Sequence, residues 1–183
     1  MTARGLRLLD LGVRVVPEGE LNASYDETAN KAVSVWEKTL EALRHLWRTQ
    51  GAARPLIVVD RQGGRMRYGP LLARGLKDTA VTLIFEREDR SEYMLEERGG
   101  PRSAHVVIVE QAEDKAFPVA LASCLAKYAR ELSMGAFNAF FEELQPGLRP
   151  TAGYRTDGHR WLAEAQPALA RAALPRQILV RER

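Results

Sequence analysis

The spacing of apolar residues predicts two long amphipathic helices. Between residues 30 and 47, apolar side chains recur at intervals of one, three and four, which places them on one helical face. These are Ala32, Val33, Trp36, Leu40, Leu43 and Trp47. A longer helix is predicted over residues 117–141. Its expected buried side consists of Ala122, Leu125, Ala129, Leu132, Ala136 and Phe140. Its more polar side carries Ser123, Lys127, Arg130, Glu131 and Met134.

Runs of β-branched and aromatic residues predict the strands. Residues 6–16 roughly alternate between apolar and polar positions and indicate a strand. Residues 55–59 form a short continuous apolar run, which is typical of a strand buried on both faces, so we expect it at the centre of a sheet. Residues 80–87, 92–97 and 103–110 are separated by turn residues and predict an antiparallel meander.

Together these elements predict an α/β fold with a mixed sheet flanked by helices. Short helices near residues 157–164 and 167–173 are expected to form a small C-terminal helical part. The chain has 183 residues, no internal repeat and no linker-like stretch. A single domain over residues 1–183 is therefore expected.

Composition removes several classes of protein. With 45% hydrophobic and 28% charged residues, the sequence is that of a packed domain and not of a disordered tail. Its one cysteine, Cys124, excludes a disulfide framework and suits a reducing compartment such as the cytoplasm. We expect no membrane span and no signal peptide. The net charge of +3 is compatible with a nucleic-acid partner but does not require one.

An acidic residue followed by a basic glycine turn is the first candidate site. Asp60 ends the apolar run, and α/β proteins place ligands and catalytic groups at the carboxyl ends of such strands. Asp also caps turns, so both interpretations remain open. The following arginines suit phosphate, which glycine amides can approach closely, although they could equally form a solvated turn. This segment contains Arg61, Gly63, Gly64, Arg65 and Arg67.

Familiar catalytic motifs are absent from the sequence. It contains no nucleophile elbow, no zinc-protease motif and no glycine-rich phosphate loop of standard spacing. His45 and His105 are expected to be surface residues and not ligands. Hydrolytic chemistry would therefore depend on carboxylates, and these suit Mg²⁺ or Mn²⁺ better than zinc.

Three segments in the same order resemble ribonuclease HII, the type 2 ribonuclease H family. Residues 122–134, ASCLAKYARELSM, are similar to that family's helix, and its last catalytic Asp falls on Glu131. Residues 56–60, LIVVD, match the strand whose terminal Asp binds metal. Residues 153–159, GYRTDGH, resemble the loop whose tyrosine contacts the sugar at an RNA–DNA junction.

The resemblance implies a ribonuclease H-like fold and a metal-dependent endonuclease. Its substrate would be RNA in an RNA–DNA hybrid, or a duplex with an embedded ribonucleotide. Asp60 and Glu131 would be catalytic residues that bind Mg²⁺ or Mn²⁺. The nucleic-acid contacts would come from Arg61, Gly63, Gly64, Arg65, Arg67, Lys127 and Tyr154.

The chain departs from the family at one important motif. The family's first strand carries Asp-Glu-x-Gly-Arg-Gly, which supplies two of four carboxylates, and nothing here matches it. We expect the chain either to be part of a longer protein or to have lost half of the site. Hydrolysis would need that acidic strand, because a two-metal centre requires several carboxylates. The alternatives are a non-catalytic nucleic-acid-binding domain of the same fold and a protein-interaction module.

Overall fold

The chain forms an α/β fold that contains one mixed sheet. The computed structural model describes residue 5 and residues 7–181. In chain order the elements are α1 (Glu18–Thr28), α2 (Lys31–Gln50), β1 (Leu56–Asp60), α3 (Gly69–Gly75), β2 (Thr79–Glu86), β3 (Arg90–Glu97), β4 (Ser103–Val109), α4 (Ala112–Lys115), α5 (Phe117–Leu144), α6 (Arg155–Glu164) and α7 (Gln166–Ala172). Short 3₁₀ turns lie at Gly51–Ala53 and Arg176–Ile178.

The described residues divide into two compact units. The sheet unit comprises Ser24–Ser123 and contains all four strands. The helical unit comprises the residues up to Ala23 together with those from Cys124 onward. A compact unit of this kind need not fold independently, so the single domain over residues 1–183 stays a prediction.

The sheet has the strand order β1-β4-β3-β2. β1 pairs with β4 in parallel, with Leu56 opposite His105 and Asp60 opposite Val109. β4 pairs antiparallel with β3, and β3 pairs antiparallel with β2. The meander and the α/β class with a mixed, helix-flanked sheet are thus confirmed.

The predicted central position of residues 55–59 is wrong, because β1 lies at one end of the strand order. Ile57 packs in the main core, whereas Val58 packs on the opposite face beside Val107 and Val109. The strand is thus buried on the Ile57 face but only partly covered on the other, where Val58 is half-buried and Leu56 is 62% exposed, so the predicted burial on both faces holds only in part. Lateral order depends on backbone hydrogen-bond partners, which the identity of the side chains does not determine.

Helix α2 covers one face of the sheet and begins at a well-formed cap. Asn30 Oδ1 accepts hydrogen bonds from the amides of Ala32 at 3.0 Å and Val33 at 3.4 Å, which satisfies two of the free helix-terminal donors. Four residues of the predicted apolar stripe are buried in the core against β1, β3, β4 and α3, whereas Val33 is half-buried and Ala32 is exposed. The core includes Trp36, Leu40, Leu43, Trp47, Leu72, Tyr93, Leu95, Val106 and Ile108.

Aromatic residues form the core of the helical unit. Phe137 and Phe141 of α5 lie 5.0 and 4.9 Å from the Trp161 ring of α6, measured between ring centroids. Ala165 and Ala168 are fully buried beside them. Small residues let α7 approach this aromatic cluster closely, and the predicted C-terminal helices are present.

The predicted buried side of α5 is wrong. Leu132 is 57% exposed and Phe140 is 46% exposed, while Ala122 and Ala136 are also exposed. The face that packs within the helical unit instead carries Phe137, Phe141 and Leu144. Helical periodicity shows that an apolar stripe exists, but where several small and apolar residues compete, the neighbouring aromatic side chains decide which stripe is covered.

The predicted strand over residues 6–16 is also wrong within the described part, and Leu6 lies outside it. Residues 7–16 have no strand assignment, and Leu8, Leu9 and Leu11 are more than half exposed. Alternation sets the side-chain faces, but a strand also needs a neighbour to pair its backbone groups.

Helix α1, which follows, had no clear apolar pattern in the sequence. No helix in the described residues is long and apolar enough to cross a membrane.

Candidate nucleic-acid interface

Asp60 lies at the carboxyl end of β1 in the sheet unit. Its Oδ1 accepts a hydrogen bond from the amide of Ala112 at 3.0 Å, at the start of α4. The residue as a whole is exposed. Asp60 therefore caps the turn after β4 and not the turn that directly follows it, which was the structural alternative considered from the sequence. A carboxylate has four lone-pair positions, so this single bond leaves capacity for a cation or a donor from a ligand.

The segment 61–67, which we call the arginine loop, holds its three arginines in different ways. Arg61 is paired through Nη2 with Glu110 at 2.9 Å and also donates to the carbonyl oxygen of Glu88. The ion pair with Glu110 offsets much of the Arg61 charge, and the Arg61 side chain is only 16% exposed. Arg65 lies over the ring of Tyr68, with 5.9 Å between its guanidinium carbon and the ring centroid. Arg67 is exposed.

Two buried tyrosines fix the arginine loop. The hydroxyl of Tyr68 accepts a hydrogen bond from the amide of Gln62 at 3.1 Å, which ties the loop to the core. The amide of Tyr68 donates to the Tyr93 hydroxyl at 2.8 Å, and this hydroxyl donates to Glu86. Burial, and next the hydrogen bond to Glu86, raise the pKa of Tyr93 to about 12. The loop therefore has a fixed start and end, and the exposed Gly63 and Gly64 lie between them.

Glu131 and Lys127 lie on an exposed part of α5 in the helical unit. The Glu131 side chain is 73% exposed, and its Oε1 pairs with Nη1 of Arg130 at 3.0 Å. The pairing of Lys127 with Glu131 that the four-residue spacing allows is thus replaced by an ion pair with the adjacent arginine. Such an exposed pair adds little to stability. Glu131 consequently remains accessible to a ligand.

Tyr154 stacks on the same arginine. The Arg130 guanidinium carbon lies 4.7 Å from the centroid of the Tyr154 ring, and Tyr154 is 66% exposed. Arg130 Nη2 also donates to the carbonyl oxygen of Ala152. Gly153 has φ +74°, a conformation that favours glycine, and a side chain there would meet Met134 at 3.4 Å. Arg130 therefore joins Glu131 to the loop that carries Tyr154.

Sequence reasoning missed the residues that hold this loop. Asp157 of α6 accepts hydrogen bonds from Thr151 Oγ1 at 2.6 Å and from the amide of Ala152 at 2.7 Å. Arg160 donates to the other carboxylate oxygen through Nη2 at 2.6 Å. The hydrogen bonds from Thr151 and then Arg160 lower the pKa of Asp157 to about 2. Asp157 lies in the first turn of its helix, where acidic residues are favoured, and that position was the one available signal.

The predicted site residues thus form two groups, one in each unit. Asp60 and the arginine loop belong to the sheet unit. Lys127, Glu131 and Tyr154 belong to the helical unit, where Arg130 brings the last two together. The helix motif and the glycine–tyrosine motif, separate in the sequence, are neighbours in space.

The donors present fit a weakly held cation better than a complete metal centre. Among the described residues there is no group of three or more His, Cys, Asp or Glu side chains able to hold a metal ion. A two-ion centre needs several carboxylates to offset its charge, and the described side chains do not supply it. Mg²⁺, however, commonly uses one or two carboxylates together with water and substrate phosphate.

Comparison of the chain with protein-family models, with curated proteins and with solved structures finds no match.

Proposed function

We propose that this chain is a ribonuclease HII-like domain of the ribonuclease H fold, which acts on RNA in RNA–DNA hybrids as a metal-dependent endonuclease when the acidic strand that its sequence lacks is supplied. The observation that supports this most is the meeting of two motifs in the helical unit, where Arg130 contacts both Glu131 and Tyr154. Each motif had been assigned its role from a separate stretch of sequence. A third, Asp60, ends a strand that is parallel to its neighbour, as a ligand-binding acid does in α/β proteins.

Tyr154 is suited to contact the sugar or base of a bound strand. Its ring is exposed and is supported from beneath by a guanidinium, and RNA is commonly recognised by stacking on such rings and by contacts to the 2′-hydroxyl. Lys127 and Arg67 are exposed cations suited to phosphate. Because Arg61 is paired with Glu110, we assign it to positioning Asp60 and its loop more than to direct phosphate contact.

From the family resemblance, Asp60 in the sheet unit and Glu131 in the helical unit are each proposed as a carboxylate ligand of Mg²⁺ or Mn²⁺. A bound ion would neutralise developing charge and activate water for attack on phosphorus. The chain's own contribution is to fix these carboxylates: the Ala112 amide orients Asp60, and Arg130 orients Glu131. A reducing, cytoplasmic location is part of this proposal and depends on the single, exposed Cys124.

Cleavage of a labelled duplex with one ribonucleotide tests the proposal. We expect a cut at the ribonucleotide only when Mg²⁺ or Mn²⁺ is present. Asp60→Asn and Glu131→Gln should each slow cleavage by roughly a hundredfold or more, because a neutral amide offsets no metal charge. Asp89→Asn and Glu142→Gln, exposed in a turn and on α5, are matched controls that should cleave normally. Absence of cleavage by the full natural polypeptide, or undiminished cleavage by its Asp60→Asn variant, would exclude the enzymatic function.

A second candidate is a non-catalytic hybrid-binding domain. It is favoured by the small number of grouped carboxylates in the part of the chain that the structure describes. This candidate predicts binding that weakens steeply with salt, because phosphate contacts release counterions, and no turnover with any divalent cation. Detectable divalent-dependent cleavage would rule it out.

A further inference from the structure

Thr151 uses its main chain to dock on α5. Its amide donates to Asn138 Oδ1 at 2.9 Å, and its carbonyl oxygen accepts from Asn138 Nδ2 at 2.9 Å. The Asn138 amide thus satisfies both backbone groups of one residue. Thr151 is only 6% exposed, and a buried backbone group left unpaired would be costly. These two bonds fix the start of the segment that leads to Tyr154.

The hydroxyl of Thr151 fixes the next two residues. It donates to Asp157 Oδ2 at 2.6 Å and accepts from the amide of Gly153 at 3.0 Å. The same Asp157 oxygen accepts from the amide of Ala152 at 2.7 Å. Consecutive amides at 152 and 153 are therefore held by one connected pair of side-chain oxygens. Arg160 keeps Asp157 in place through its own ion pair at 2.6 Å.

Fixing these amides determines where the Ala152 carbonyl and the Tyr154 ring lie. The carbonyl accepts from Arg130, and the left-handed conformation of Gly153 turns the chain so that Tyr154 covers the Arg130 guanidinium. The Arg130 side chain is long and would otherwise sample many rotamers, and the Tyr154 ring would sample a few. Ordering them before a ligand arrives removes an entropic cost that binding would otherwise carry.

We propose that Thr151 is a positioning residue: its hydroxyl, held by Asp157, presets the Arg130–Tyr154 pair as a stacking platform for one nucleoside of a bound strand. This inference rests on the proposed nucleic-acid function for its ligand. The preset arrangement itself belongs to the free protein and can be measured there.

The first test uses the full chain without nucleic acid. Thr151→Val keeps the shape and the backbone but removes the hydroxyl, whereas Thr151→Ser retains it. In Thr151→Val we expect hydrogen exchange at the Gly153 amide to accelerate about tenfold, the loss of one hydrogen bond. The ring-current shift that Tyr154 imposes on the Arg130 side-chain protons should collapse as well. Thr151→Ser should keep both signals near wild type. Unchanged signals in Thr151→Val would overturn the inference.

The second test couples Thr151 to Tyr154 in binding. Affinity for a duplex with one ribonucleotide is measured for wild type, Thr151→Val, Tyr154→Ala and the double variant. We expect Thr151→Val to weaken binding about five- to tenfold alone and to add nothing in the Tyr154→Ala background, since it acts through that ring. An equal loss in both backgrounds would overturn the positioning role. If wild type binds no nucleic acid, the proposed function fails, and the free-protein signals alone decide whether Thr151 presets the pair.

Discussion

Asp157 illustrates how one half-buried side chain can organise a loop. Its two carboxylate oxygens accept from Thr151, from the Ala152 amide and from Arg160, so the anionic form is favoured in the folded chain. The carboxylate pKa of about 2 lies below its ordinary value of 3.8. A lowered folded-state pKa means that the unfolded chain takes up the proton first as the pH falls.

The contribution of Asp157 to stability should therefore disappear in acid. It is fully present above about pH 4 and is lost as the pH falls through about 2. Urea unfolding of wild type and Asp157→Asn between about pH 6 and about pH 2 checks this. The difference in free energy of unfolding between the two should be constant near neutrality and shrink towards the acidic limit. A difference that does not vary with pH would contradict the assigned cause.

Tyr93 has the corresponding role for the arginine loop. It is 1% exposed, and its hydroxyl is the acceptor for the amide of Tyr68 as well as a donor to Glu86. Tyr93→Phe leaves that amide without its acceptor, which should cost about 1–3 kcal/mol in the free energy of unfolding. Denaturant unfolding measures the loss. Because Tyr128 is 62% exposed on α5, Tyr128→Phe is the comparison and should cost less. Equal losses in the two variants would argue against the bonding described.

At the scale of elements, the contact between α2 and α3 depends on a glycine. A Cβ added at Gly75 would lie 2.3 Å from Leu40 Cδ2, and Leu40 is itself only 1% exposed. Gly75→Ala should therefore destabilise the protein by about 1–3 kcal/mol through overpacking. Gly158→Ala on α6 meets nothing within 4 Å and should stabilise by roughly 0.5–1 kcal/mol, because alanine favours helix. Thermal unfolding of both variants checks the opposite signs, and a stabilised Gly75→Ala would show that the contact is looser than described.

The spacing of apolar and turn residues predicted most helices and strands, but it did not predict which elements lie beside one another in the fold. Helix α2 was predictable because its apolar spacing and the Asn30 cap agree. The meander was predictable from β-formers separated by turns. The lateral place of β1 and the covered side of α5 were not, since each depends on which other element packs or pairs there. The exposed segment 7–16 has strand-like alternation without a pairing partner in the described chain.

At the scale of the whole molecule, part of the candidate site could be predicted from sequence. Three short motifs single out Asp60, Glu131 and Tyr154 as candidates, and in the structure Arg130 contacts both Glu131 and Tyr154. Arg130 had been placed only on a polar helix side. Asn138 inside a helix and Thr151 after a proline carry no catalytic signature, because their role arises from contacts between segments that are distant in sequence. The proposed recognition of a ribonucleotide depends on the folded loop from Thr151 to Tyr154, so no single sequence motif predicts it.

Recognition of a ribonucleotide through Tyr154 is the central claim, and competitive binding measures it most directly. A duplex with one ribonucleotide and the same all-DNA duplex are titrated at low salt without divalent cations, against wild type, Tyr154→Ala and Tyr128→Ala. Tyr128 is the control because it is 62% exposed on α5 and its ring is not the one stacked on Arg130. We predict that wild type and Tyr128→Ala prefer the ribonucleotide roughly two- to tenfold, the value of one hydrogen bond, and that Tyr154→Ala has no preference. Equal affinity of wild type for both duplexes, or equal losses in the two tyrosine variants, would contradict it.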